Sequence, residues 1–260
     1  MKIIVCGKGG SGKSTITTLL ARQNAASGKR TIVVDTDVSN VGIHRILGTG
    51  KTKDLIGYFG DRKSVDEKIH VGKEPGKPET AVLGHWTYDS IPGEYRSIQD
   101  GVQLVTVGKI NAASEGCKCA LSSIARQFIL GLKLVGDDLV IVDTEAGVEH
   151  FGRGFDSLCD IILMVVDPTF ESLSLVDRVT DMADSISVPL YYVLNKTDAK
   201  TSAALRKRIT DNARIIGEFP LDTGLLAAGL GGEPMPTQYP AAANLLDAVT
   251  GKLAAHVSAP

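Results

Sequence analysis

Seven short runs of nearly unbroken apolar residues divide this chain, at 3–6, 31–35, 102–107, 139–143, 161–167, 190–195 and 215–219. Continuous Val, Ile and Leu, in place of strict alternation, is the pattern of strands covered on both faces. Between the runs the apolar positions shift to helical spacing, as in Ile16, Leu19 and Leu20 of a helix predicted from Thr15, and in segments 173–186 and 202–212. This alternation predicts an α/β fold, a doubly wound, mostly parallel sheet of about seven or eight strands with helices on both faces and right-handed crossovers. Ligands of such sheets sit at the carboxyl ends of the strands, so Gly7, Asp35, Gly108, Asp143, Asp167 and Asn195 are expected on one edge. Residues 72–101 break the pattern with Gly, Pro and charge around Trp86, Tyr88 and Tyr95. That stretch reads either as an ordered insertion packing on a partner or as a mobile loop. No repeat or boundary interrupts the pattern, so one domain over 1–260 is expected.

Composition narrows the classes. With 43% hydrophobic residues, 260 positions suffice for a sizeable core, and a net charge of −2 gives no electrostatic reason to expect nucleic-acid binding. No apolar run approaches the roughly eighteen residues of a membrane span and no signal peptide fits, so no membrane association and a cytoplasmic location are expected. Cys6, Cys117, Cys119 and Cys159 are too few and scattered for a disulfide framework, which leaves metal or redox chemistry for any that cluster.

The chemistry starts directly after the first strand. Gly7-Lys8-Gly9-Gly10-Ser11-Gly12-Lys13-Ser14 is a phosphate-binding loop, followed by Thr15 and a helix. Glycines let successive N–H groups turn toward an anion, and the helix adds its positive end. Lys13 then reaches the β- and γ-phosphates, and the Ser14 hydroxyl is placed to ligate the bridging Mg2+. Lys8 is not needed for that task; alone it reads as solvated surface charge.

Other strand ends carry acids. Asp35-Thr36-Asp37 puts two carboxylates near the triphosphate, which makes sense with magnesium or water between them. Leu139-Val140-Ile141-Val142-Asp143 ends in an acid suited to a magnesium-bound water, although strands also end in Asp as a helix cap. Gly147, in Thr144-Glu145-Ala146-Gly147, is a candidate γ-phosphate sensor through its N–H. Asn195-Lys196-Thr197-Asp198 resembles the NKxD guanine motif of GTPases, which leaves the base open at this point. Pro220, after the last strand, would close one side of the base or simply make a turn.

Gly116-Cys117-Lys118-Cys119 is a second informative site. Cysteines two apart lie on one side of an extended segment but about 200° apart on a helix, so a jointly used pair is expected on extended or loop backbone. Two thiolates fill half of a tetrahedral sphere, and a second copy of the chain would supply the other half. The plain alternative is two small buried hydrophobes.

The string KGGxGKS resembles the deviant Walker A motif of the MinD/ParA/nitrogenase iron protein class of ATPases. The resemblance implies ATP/ADP with Mg2+, and a homodimer in which Lys8 touches the partner's nucleotide. It also implies that Asp37 orients the attacking water and that Asn195 lies against adenine. The CxC, together with Asp143-Thr144-Glu145-Ala146-Gly147-Val148-Glu149-His150, looks like the CooC group of nickel-insertion ATPases. That likeness implies Ni2+, or Zn2+, held by Cys117 and Cys119 of two subunits and delivered to a carbon monoxide dehydrogenase or acetyl-CoA synthase client. Switch II lacks the cysteine of the cluster-bearing relatives, and residues 241–260 lack the basic face of a MinD membrane helix. A ParA/MinD-like positioning ATPase without metal cargo is the competing reading. An amidotransferase-type ligase is disfavoured because no glutaminase sequence is present.

Overall fold

The computed structural model describes residues 1–60, 65, 69, 79–109, 118–148, 151, 154 and 158–257, the side chains of 118, 119 and 257 excepted. Strands β1 (Lys2–Gly7), β2 (Thr31–Asp35), β3 (Ser97–Gln99), β4 (Val102–Thr106), β5 (Leu139–Asp143), β6 (Ile161–Val166), β7 (Leu190–Thr197) and β8 (Ile215–Pro220) form one sheet in the order β3-β4-β2-β5-β1-β6-β7-β8. All neighbours run parallel except β3 on β4. The helices described are α1 (Lys13–Ala26), α2 (Ile43–Leu47), α3 (Ile56–Phe59), α4 (Lys118–Gly131), α5 (Phe170–Ser185), α6 (Ala199–Arg208), α7 (Thr223–Gly231) and α8 (Pro240–Val257). None of the described helices is long and apolar enough to cross a membrane.

The continuous apolar runs are explained by burial on both sides. In β1, Ile3 and Val5 join the core that includes Leu19, Leu20 and Leu245, whereas Ile4 and Cys6 join the core around Phe128. Alternate residues of one strand therefore serve opposite layers, as the pleat requires.

The differences from expectation are local. The eighth strand, β3, lies inside the irregular stretch as a short antiparallel edge. The helix expected over 202–212 instead spans Ala199–Arg208, because Asp198 and Thr201 form a reciprocal capping box that starts it early. The described part of 72–101 packs on the chain's own core, unlike either reading of it. Trp86 is 5% exposed, with its ring 5.2 Å from that of Phe128 and 5.6 Å from that of Phe59. Its N–H donates to the Gly131 carbonyl, and its own carbonyl accepts from Lys133.

Candidate nucleotide-binding site

The loop between β1 and α1 is shaped by groups from distant strands. Lys13 Nζ donates to the Lys8 carbonyl at 3.2 Å, Lys196 Nζ to the Gly10 carbonyl at 2.6 Å, and Asn195 Nδ2 to the Ser11 carbonyl at 2.7 Å. Carbonyls occupied in this way suit a loop whose N–H groups serve an anion. Lys196 adopts a left-handed φ of 57°, unusual for a lysine, at the end of β7. Gly12 has φ 102°, and a Cβ there would overlap the Asn195 amide, so no other residue fits.

Beside the loop lies a cavity of about 610 Å3, lined by Gly9, Gly10, Gly12, Lys13, Ser14, Thr15, Asp37, Ala146, Lys196 and leucines of α7. Asp143, fully buried, lies behind Ser14 of that lining. It accepts from Ser14 Oγ at 2.7 Å and from Thr17 Oγ1 at 3.3 Å. Burial pushes its carboxyl up to about 6, against the Ser14 hydrogen bond and the Lys13 charge. Asn40 donates to the same Ser14 hydroxyl at 2.9 Å. A hydroxyl backed by a carboxylate, with Asp37 on the same cavity, is a hard oxygen set that suits Mg2+.

The two acids after β2 differ. Asp37 lines the cavity and accepts from the Ser39 N–H and hydroxyl. Asp35 is buried and faces Lys109, whose Nζ lies 2.5 Å from its carboxylate and 2.5 Å from the Asp37 carbonyl. Across the loop, the Gly147 N–H donates to the Gly7 carbonyl at 3.2 Å, joining the segment after β5 to the start of the loop. Lys8 is turned toward α5, with Nζ 3.3 Å from Thr169 Oγ1 and 3.9 Å from Glu171.

The structure thus brings Gly9, Gly10, Ser11, Gly12, Lys13, Ser14, Thr15, Asp37, Asp143, Gly147 and Asn195 to one edge. Asn195 lies beneath the loop with its amide on Ser11. Pro220, exposed at the end of β8, is not among the residues lining the cavity. Asp198, the acid of the guanine-like motif, spends its carboxylate capping α6. Cys117, Glu149 and His150 lie outside the described residues, as does the side chain of Cys119. The backbone at Cys119 belongs to the first turn of α4, so the pair is not wholly on extended or loop backbone as expected. Among the described residues no group of three or more His, Cys, Asp or Glu is placed to hold a metal. Sequence reasoning missed Lys109, Asn40, Thr17 and Lys196 in this site. Only Lys196 had a local signal, its place beside Asn195.

A glycine-rich loop between a buried strand and a helix, with acidic ends on the neighbouring strands, defines a P-loop nucleotide-binding protein of the α/β class. The model of the CobQ/CobB/MinD/ParA nucleotide binding domain matches residues 2–235. The chain belongs to that family. An uncharacterized ATP-binding protein of Methanocaldococcus jannaschii is 37% identical over 250 residues, 96% of this chain and 100% of its own. The carbon monoxide dehydrogenase accessory protein CooC of Rhodospirillum rubrum is 27% identical over 240 residues, 89% of this chain and 88% of its own. The fold is shared with the septum site-determining protein MinD complexed with Mg-ADP from Pyrococcus horikoshii, at a TM-score of 0.67 and 16% identity over 99% of this chain and 98% of that one.

Proposed function

We propose that this chain is a dimeric, Mg-ATP-dependent metallochaperone ATPase that carries Ni2+, with Zn2+ able to take the same site, to a carbon monoxide dehydrogenase or acetyl-CoA synthase type of enzyme. The cargo is held by Cys117 and Cys119 from each subunit. The observation that carries the reading is the position of α4, whose first turn holds the backbone of Cys119. Helix α4 starts at Lys118, and a Cβ on Gly108 would lie 2.6 Å from Leu121 of that helix. The backbone at Cys119 therefore adjoins the exit of β4, on the sheet edge that holds Asp35, Asp37 and the phosphate loop. Similarity to CooC over most of both chains supports the same client class.

Two further observations support the dimer. Lys8 is turned away from its own loop toward the N-terminal end of α5, where an ammonium is opposed by the helix dipole and Glu171 is its offset. Leu226 and Leu230, on the cavity wall, are 50% and 93% exposed, a surface a second subunit would cover.

Hydrolysis then asks for positioning and charge stabilisation. Water oxygen bonds to the γ-phosphorus as the bond to the β–γ bridging oxygen breaks, giving ADP and phosphate. Lys13 and the loop N–H groups would hold the transferred charge, Ser14 would ligate a Mg2+ that screens the phosphates, Asp37 would orient the water, and Asn195 and Pro220 would border the adenine. The test is metal analysis. Wild-type protein should hold about half an ion of Ni2+ or Zn2+ per chain, and Cys117→Ser should abolish this with Mg-ADP affinity unchanged. Equal metal content in the two proteins, or none in either, would refute the cargo and favour a positioning ATPase.

A further inference from the structure

We propose that Lys109 is a positioning residue for ATP hydrolysis, holding the Asp37 backbone so that the Asp37 carboxylate meets the phosphate cavity. Strand β4 pairs in parallel with β2, Asp35 opposite Thr106, so residues leaving the two strands travel side by side. The Val107 N–H donates to the Asp35 carbonyl at 3.0 Å and extends that pairing. Two residues later the Lys109 N–H donates to the Asp54 carboxylate at 3.0 Å, which fixes the backbone from which its side chain springs. The ammonium, on a side chain 12% exposed, reaches Asp35 and the Asp37 carbonyl at 2.5 Å each. From the other side, Thr36 is tied to β5 by its N–H and hydroxyl, both donating to the Asp143 carbonyl.

Asp37 is therefore gripped at its carbonyl by Lys109, just past β4, and at the preceding residue by β5. Those two anchors fix its backbone, on which the Ser39 and Asn40 N–H groups that donate to its carboxylate hold the side chain. An exposed acid without them would sample rotamers and lose the alignment on which hydrolysis depends. The bland alternative is that Lys109 only neutralises a buried Asp35. The two roles separate chemically. A buried pair that serves charge balance alone is replaceable by neutral residues at little cost, whereas removing one partner strands the other. Neutralising both leaves the Asp37 carbonyl without its ammonium, while an asparagine in place of Asp35 keeps an oxygen to accept from the Asp37 N–H, which donates to Asp35 at 3.2 Å.

The experiment is steady-state Mg-ATP hydrolysis by the full chain carrying Asp35→Asn with Lys109→Met, beside Lys109→Arg. In the double variant kcat should fall by at least about tenfold, with KM for ATP within about threefold of wild type. Lys109→Arg should stay within about threefold of wild-type kcat, since a guanidinium donates to both acceptors. An adjoining cavity of about 180 Å3, lined by Asp35, His44, Thr52 and Lys109 itself, gives it room. A double variant with wild-type kcat, or one altered in KM alone, overturns the proposal. The inference rests on the ATPase reading. No turnover by wild-type protein would overturn both, whereas wild-type turnover that survives loss of Lys109 overturns this one and leaves that reading intact.

Discussion

Asp35 has an ammonium 2.5 Å away and still titrates high, because burial outweighs the partner. Desolvation pushes its carboxyl up to about 7, Lys109 pulls it down, and Asp143 and Asp37 push it up again. An acid that binds its proton more tightly in the folded chain than in the unfolded one adds stability at low pH and loses it as pH rises. The loss runs from about pH 4 to pH 7, at up to about 1.4 kcal/mol per pH unit. Asp143, raised to about 6, acts in the same direction. Nucleotide-free wild type should therefore lose more unfolding free energy between pH 5 and pH 7 than Asp35→Asn does, measured by urea titration at both values. Parallel losses in the two proteins would contradict this. The residues of this site differ in how legible they are. Lys13 and Ser14 sit at fixed offsets inside a motif, so spacing alone reveals them. Lys109 finds Asp35 74 positions away, a pairing that exists only once β4 lies beside β2.

Among the elements, the long buried strands were readable because burial on both faces leaves an unbroken apolar signature. Strand β3 was not, since Ser97-Ile98-Gln99 lies half in water at an edge and carries no such run. The start of α6 was hidden for another reason: a capping box is written in two polar residues ahead of the apolar pattern that marks the helix. The segment before β3 looked irregular because its contacts are aromatic and long-range. Trp86 fills the space between α3 and α4, and a Cβ on Gly131 would approach its ring to 2.9 Å. Trp86→Ala should cost about 3–5 kcal/mol of unfolding free energy, read by circular dichroism in urea. A loss below about 1 kcal/mol would mean that this segment is not part of the cooperative core.

At the scale of the whole molecule, the sheet order brings the phosphate loop and the strand-end acids to one edge, and that gathering was legible from topology rules alone. Whether the cysteines share an ion was not, because a motif of two ligands says nothing of the other two. The dimer has its own test. Lys8→Ala should leave Mg-ADP binding intact while slowing ATP turnover by roughly 1,000-fold or more, as for a charge supplied from a partner. Analytical ultracentrifugation with a non-hydrolysable ATP analogue should then show dimers of the wild type and a larger monomer fraction of the variant. Unaltered turnover would leave Lys8 a surface residue.

The hydrogen bonds that clasp the phosphate loop come from Asn195 and Lys196, 184 and 186 positions from their acceptors. A loop shaped by remote parts of the chain acquires its form only when the whole sheet assembles. Little disorder then remains to be lost when a nucleotide enters, and the cost of ordering falls on folding rather than on recognition. Folding stability and nucleotide affinity thereby become two readings of one set of bonds, so that a substitution loosening the β7 end of the sheet would be felt as weakened binding before it was felt as unfolding.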